Sequence, residues 1–172
     1  MIERRAIVEE IRADARTLHG FALVYGAEAR IAGGVETIAP GAVAESLSSG
    51  RDILALVDHD AGKVLGRTRS GTLQLRDDKH GLAFSIELPD TTAARDVLAL
   101  VERGDAGGMS IGFSVPAGGD EWRSGKRTLR RIALHEISVI TSHPAYTATT
   151  VEARTRANAE IDLLRRRLAV LG

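Results

Sequence analysis

The feature that most restricts the fold is the close spacing of turn residues between β-like runs. From Thr17 to Tyr25 the chain reads Thr-Leu-His-Gly-Phe-Ala-Leu-Val-Tyr, rich in β-branched and aromatic residues, and it stops at Gly26. Residues 31–38 form a second candidate strand with Gly33-Gly34 as a turn or bulge, and Pro40-Gly41 punctuates it. The apolar run 53–57 ends at Asp58-His59-Asp60. Strand candidates at 64–69, 72–76 and 82–88 are parted by Gly71 and by Asp77-Asp78-Lys79-His80-Gly81. Turn signals this close together predict an antiparallel barrel or sandwich.

The remaining segments fit around that frame. Residues 2–12 mix apolar and charged positions near period two, as a strand does. Residues 42–47 read as a short helix closed by Ser48-Ser49-Gly50. The clearest helix spans 91–103: Thr91 or Asp90 caps it, Ala93, Val97, Leu98 and Val101 share a face, and Gly104 stops it. Gly118-Gly119-Asp120 and Ser124-Gly125-Lys126 bracket Trp122 in a hairpin-like excursion. Residues 128–134 and 136–141 complete the strands as one bent or bulged element, ended by Pro144. Beyond Val151 the character changes. Residues 152–171 are helix-forming, with Ile161, Leu164, Leu168 and Leu171 along one face and Arg165-Arg166-Arg167 between them. The chain therefore divides into a domain over 1–150 and an amphipathic tail over 151–172, packed on its own domain or docked on a partner.

Composition narrows the function. The 172 residues carry 23 basic and 23 acidic side chains, so no net basic field marks a nucleic-acid binder. A hydrophobic content of 44% supports a packed core. With no cysteine, the chain has no disulfide, thiolate nucleophile or cysteine metal site, and it suits a reducing compartment. No apolar block has signal-peptide or membrane-spanning length, so a soluble, unsecreted protein is expected.

The chemistry-bearing stretch is Gly107-Gly108-Met109-Ser110-Ile111-Gly112-Phe113-Ser114-Val115. A glycine turn running into a strand fixes Ser110 yet leaves it exposed on one side, as a nucleophile requires. A serine hydroxyl is a poor nucleophile at neutral pH. It needs an imidazole to take its proton, and the imidazole needs an acceptor to hold its tautomer. His59 stands just past an apolar strand and Glu136 lies in the last sheet segment, so Ser110, His59 and Glu136 can converge. Strict alternation places Glu136 and Ser138 on one strand face and His135 and Ile137 on the other. His135 and His143 are the rivals of Glu136 for the third role, and Ser114 is the rival nucleophile. His19 reads as a packing or surface residue and His80 as solvated. Asp58-His59-Asp60 carries metal-ligand types, but no second histidine stands at ligand spacing, so no metal is expected. Gly108-Met109-Ser110-Ile111-Gly112 has the bare spacing of an esterase elbow, but a strand-like Ile-Gly-Phe-Ser-Val follows the serine where that elbow requires a helix.

In order along the chain, several short motifs resemble the caudovirus (HK97-type) prohead maturation proteases, serine peptidases akin to herpesvirus assemblins. They are Gly20-Phe21-Ala22, Ile38-Ala39-Pro40-Gly41-Ala42, Leu56-Val57-Asp58-His59-Asp60, Leu65-Gly66, Gly81-Leu82, Arg103-Gly104, Gly108-Met109-Ser110-Ile111-Gly112-Phe113, Glu136-Ile137-Ser138-Val139-Ile140-Thr141 and Pro144-Ala145. The resemblance implies an α+β, mainly β fold: an assemblin-like antiparallel β-barrel surrounded by helices, here with a C-terminal amphipathic helix. It implies catalysis by His59 and Ser110. Assemblins use a second histidine as third member, where this chain has Glu136. The implied function is a serine endopeptidase that needs no cofactor and cleaves the major capsid protein precursor and its scaffolding segment. It would act inside assembling proheads in the host bacterial cytoplasm, with self-association possible and neither nucleic acid nor membrane as partner. The alternative is a non-catalytic capsid-assembly or scaffold-binding domain on the same fold, and a covalent serine probe on Ser110 separates the two.

Overall fold

The computed structural model describes residues 1–7, 11–106 and 108–141. Strands form at most of the β-branched and apolar runs between turns, and also at the charged segments 12–14, 120–123 and 126–129. In chain order they are β1 (Glu3–Ile7), β2 (Arg12–Asp14), β3 (Thr17–Val24), β4 (Ala29–Ile31) and β5 (Gly34–Ile38), followed by the short helix α1 (Ala44–Ser48). Next come β6 (Leu54–Val57), β7 (Asp60–Arg67), β8 (Leu73–Asp77) and β9 (Gly81–Glu87), then helix α2 (Thr92–Arg103). The last elements described are β10 (Gly108–Ser114), β11 (Asp120–Arg123), β12 (Lys126–Leu129) and β13 (Ala133–Ile140). The tail expected to be helical lies outside the described residues, as do His143 and Gly107.

Helix α2 obeys its local signals. The Thr91 hydroxyl accepts from the Ala94 N–H, and Gly104, at φ 75°, closes the last turn in the left-handed conformation that glycine adopts freely. Its buried face is Ala94, Val97 and Val101, so Ala94 takes the place expected for Ala93.

The strands pair into three sheets, ordered β1-β10-β13-β6-β7, β11-β12-β5-β4 and β2-β3-β9-β8. The fold is mainly β, as expected, but no ring of ladders closes among the described residues. Nor is every ladder antiparallel: β13 runs parallel to β6, and β12 parallel to β5. Hairpins force antiparallel pairing only on strands they join directly. These two pairs are distant in the chain and meet across the sheet. The segment expected as one bent strand over 128–141 is two strands in different sheets. The chain leaves β12 at Arg130 and Arg131, whose N–H groups both donate to the Gly119 carbonyl.

One core unites the sheets. Met109, Ile111 and Phe113 of β10, Leu134, Ile137 and Val139 of β13, and Ala55 and Val57 of β6 face it. Leu18 and Leu23 of β3, and Leu82, Phe84 and Ile86 of β9, meet them there with Val97 of α2. The opposite face of the first sheet carries Ser110, Glu136 and Ser138, beside Leu56, which pairs with Ser138. Strand β1 is fixed to the second sheet through Glu36, whose carboxylate is 1% exposed and lies between the guanidinium groups of Arg5 and Arg127. Arg127 also pairs with Glu3 at 2.7 Å. A carboxylate this buried is tolerated because both oxygens accept charge-assisted hydrogen bonds.

Candidate active site

His59 owes its position to a tight turn. Strands β6 and β7 are joined by Asp58-His59 alone, with Val57 opposite Asp60. Both residues take positive φ, 49° and 61°. Left-handed values at both central positions are the pattern of a type I′ hairpin, which normally selects Asn-Gly. Asp and His hold it here because the end of β13 supplies partners. The Asp58 N–H donates to the Val139 carbonyl at 3.0 Å. The Thr141 N–H donates to Asp58 Oδ1 at 2.8 Å, and the Thr141 hydroxyl donates to Oδ2. The His59 N–H donates to Ser138 Oγ at 3.2 Å.

Parallel pairing of β13 with β6 sets Glu136 opposite Leu54, and this brings its carboxylate to the imidazole. His59 Nδ1 and Glu136 Oε1 are 2.6 Å apart, with side chains 14% and 12% exposed. The Ser138 hydroxyl donates to Glu136 Oε2 at 2.7 Å. An ionised carboxylate only accepts, so Nδ1 carries the proton of a neutral His59 and Nε2 keeps its lone pair. That is the tautomer a general base needs. Gly112 stands opposite Glu136 across the β10–β13 ladder. A β-carbon at Gly112 would overlap Glu136 Oε1, so the second glycine of the serine motif makes room for this carboxylate.

Ser110 pairs with Ser138 on one side and with Ala6 of β1 on the other. It therefore shares the sheet face of Glu136 and Ser138. It is not exposed as expected: 1% of its surface is accessible, and its Oγ donates to the Arg5 carbonyl at 3.0 Å. The reason is its place in β10, third in the strand with β1 alongside. No hydrogen bond among the described residues joins Ser110 to His59.

The rivals fall elsewhere. The register slips between Gly112 and Phe113, so Gly112 faces Glu136 while Phe113 faces Leu134. His135 is the extra residue of this bulge. Strict alternation fails there, and His135 leaves the core face that Ile137 and Val139 occupy. Its Nε2 lies 2.9 Å from Ser114 Oγ, and Arg51 approaches Nδ1 at 3.4 Å. A guanidinium only donates, so Nδ1 is the acceptor and Nε2–H points at Ser114. This is the wrong tautomer to take a proton from Ser114. Burial, then the charge of Arg51, hold the His135 pKa below the ordinary histidine value. His19 is half-buried in β3 opposite Arg12, and His80 lies edge-on to Phe21 in an exposed turn. Both carboxylates of Asp58-His59-Asp60 are engaged: that of Asp58 by Thr141, and that of Asp60 by the Gly62 N–H at 2.8 Å and by Lys63.

Ser138, Gly112, Asp58 and Thr141 were not singled out as site residues from the sequence. Ser138 was legible only as a polar partner of Glu136 on its strand face. The other three depend on cross-strand contacts that a linear chain does not display.

Comparison with known proteins bears on the chain's family and fold. Residues 4–163 match the family model described as caudovirus prohead serine protease. The capsid assembly protease of bacteriophage T4 shares the fold, with a TM-score of 0.54 at 9% identity over 83% of this chain and 96% of that one. No curated protein matches this chain by sequence.

Proposed function

This chain belongs to the caudovirus prohead serine protease family, and we propose that within it Ser110 is the nucleophile, His59 the general base and Glu136 the carboxylate that holds His59. The observation that supports this reading is the 2.6 Å contact between His59 Nδ1 and Glu136 Oε1, on the face that also carries Ser110. For attack, the Ser110 hydroxyl leaves the Arg5 carbonyl by rotating about χ1 toward the imidazole. Nε2 of His59 takes the proton as Oγ bonds to the scissile carbonyl carbon, and Glu136 stabilises the imidazolium. The imidazolium returns that proton to the leaving amine as the C–N bond breaks. Water then attacks the acyl-enzyme with His59 again as base. Backbone N–H groups bind the oxyanion, since a developing charge in a closed site is best met by fixed dipoles.

The substrates proposed are the major capsid protein precursor and its scaffolding segment, cleaved within assembling proheads in the host. None of the proposed steps calls on a cofactor. The test is capsid-precursor processing by Ser110→Ala. Loss of a nucleophile costs on the order of 10⁴- to 10⁶-fold in kcat, and the chain should stay folded, with melting lowered only by loss of the hydrogen bond to the Arg5 carbonyl. Processing at the normal rate by a folded Ser110→Ala chain would remove Ser110 from the mechanism.

A further inference from the structure

The turn that presents His59 is built without the Asn-Gly or glycine residues that favour it most. Neither Asp58 nor His59 is a glycine or asparagine, yet both adopt positive φ. Beyond the β6–β7 ladder itself, the hydrogen bonds that Asp58 and the His59 N–H make all come from β13 or the residue just past it: the Val139 carbonyl, the Ser138 hydroxyl, and the N–H and hydroxyl of Thr141. Glu136 projects from that same strand. The contacts therefore register the imidazole against the carboxylate it meets. Asp58 is the exposed end of this arrangement, and an exposed carboxylate is ordinarily left to water. Here each of its oxygens is engaged by Thr141.

We infer that Asp58 is a positioning residue, whose carboxylate clamps the turn to Thr141 and so sets the His59 imidazole on Glu136. Exposed contacts of this kind contribute little to folding. A displacement of about 1 Å at a reacting group, by contrast, costs about 10²-fold in rate. The clamp should therefore show in catalysis far more than in stability. Its importance for activity rests on the assignment of His59 and Glu136 proposed above.

The experiment uses the full chain and two readouts: kcat and KM on capsid precursor, and the proton resonance of the His59 Nδ1–H. A hydrogen bond to a carboxylate moves that resonance far downfield, and its disappearance in Glu136→Gln assigns it. Asp58→Gly keeps positive φ accessible but removes the clamp. It should melt near wild type, lose about 10- to 10²-fold in kcat with little change in KM, and lose the downfield resonance. Asp58→Asn tolerates the same backbone and keeps an acceptor for Thr141, so it should restore most of both. Should Asp58→Gly fold poorly, Thr141→Val removes only the hydroxyl arm and should give a smaller kcat loss with a weakened resonance. Wild-type kcat and resonance in Asp58→Gly would overturn the inference. Loss of the resonance with kcat unchanged would uphold the clamp and instead contradict the catalytic assignment of His59 and Glu136.

Discussion

Two serine–histidine pairs draw their serines from β10, one with His59 of the β6–β7 turn and one with His135 of β13, and they differ in what touches Nδ1. At His59 it is a carboxylate at 2.6 Å, which fixes the proton on Nδ1 and leaves Nε2 free to accept. At His135 it is a guanidinium at 3.4 Å, which fixes the lone pair on Nδ1 and turns Nε2–H toward Ser114. The pair already in hydrogen-bond contact, Ser114 with His135, is thus the one whose base is oriented wrongly. The pair not in contact, Ser110 with His59, has its base oriented correctly. Proximity of a serine and a histidine does not identify a nucleophile. The partner on the far side of the ring decides, because it selects the tautomer and sets whether the imidazolium is favoured.

The sharpest way to break this comparison is to remove each imidazole in turn. His59→Ala should lower kcat by about 10⁴- to 10⁶-fold, comparable to loss of the proposed nucleophile Ser110. His135→Ala should leave kcat within severalfold of wild type. Equal losses would erase the distinction between the pairs. Replacing the two Nδ1 partners is a gentler test. Glu136→Gln keeps size but loses the charge and should cost roughly 10²- to 10⁴-fold, whereas Arg51→Gln should leave turnover near wild type. Precursor-cleavage kinetics on folded variants decide both.

A smaller effect is expected from Gly112→Ala. The new methyl would occupy the space of Glu136 Oε1, a side-chain end that can move but is pinned by His59 and Ser138. The variant should fold, with melting within a few degrees of wild type, and lose about 10- to 10²-fold in kcat because the carboxylate is displaced. Unchanged turnover would show that Glu136 need not sit where it does. The smallest effect concerns His135 and pH. Its folded pKa is lowered, so the unfolded chain takes up the proton first as pH falls. Its contribution to stability is complete above the ordinary histidine value of about 6.5 and shrinks below it. His135→Gln should therefore flatten, slightly, the fall in melting temperature between neutral and mildly acidic buffer.

What could be read from the chain beforehand follows the range of the forces involved. Turn chemistry and strand runs are local, so the mainly β architecture, the α2 cap at Thr91 and the stop at Gly104 were legible. Ser110, His59 and Glu136 could be named as candidates because few side chains do this chemistry, although Glu136 lies in the middle of β13 rather than at a strand end. The bulge at His135 was not legible, because it is a mismatch of register with β10. Nor was the purpose of Gly112, since its spacing resembles an elbow and only the cross-strand partner reveals it. Asp58-His59 reads as a polar turn, but its left-handed backbone depends on Thr141 and Ser138, about eighty residues later. The parallel β6–β13 ladder, which brings His59 to Glu136, is likewise a long-range choice. The burial of Ser110 beneath β1 depends on Arg5, from the other end of the chain.

The most direct measurement is the site of labelling by a covalent serine probe, located by peptide mapping on the intact chain. A phosphonylating reagent reports whichever hydroxyl has a competent base. The account predicts modification of Ser110 alone, lost in His59→Ala and retained in His135→Ala. Modification of Ser114, dependent on His135, would contradict it.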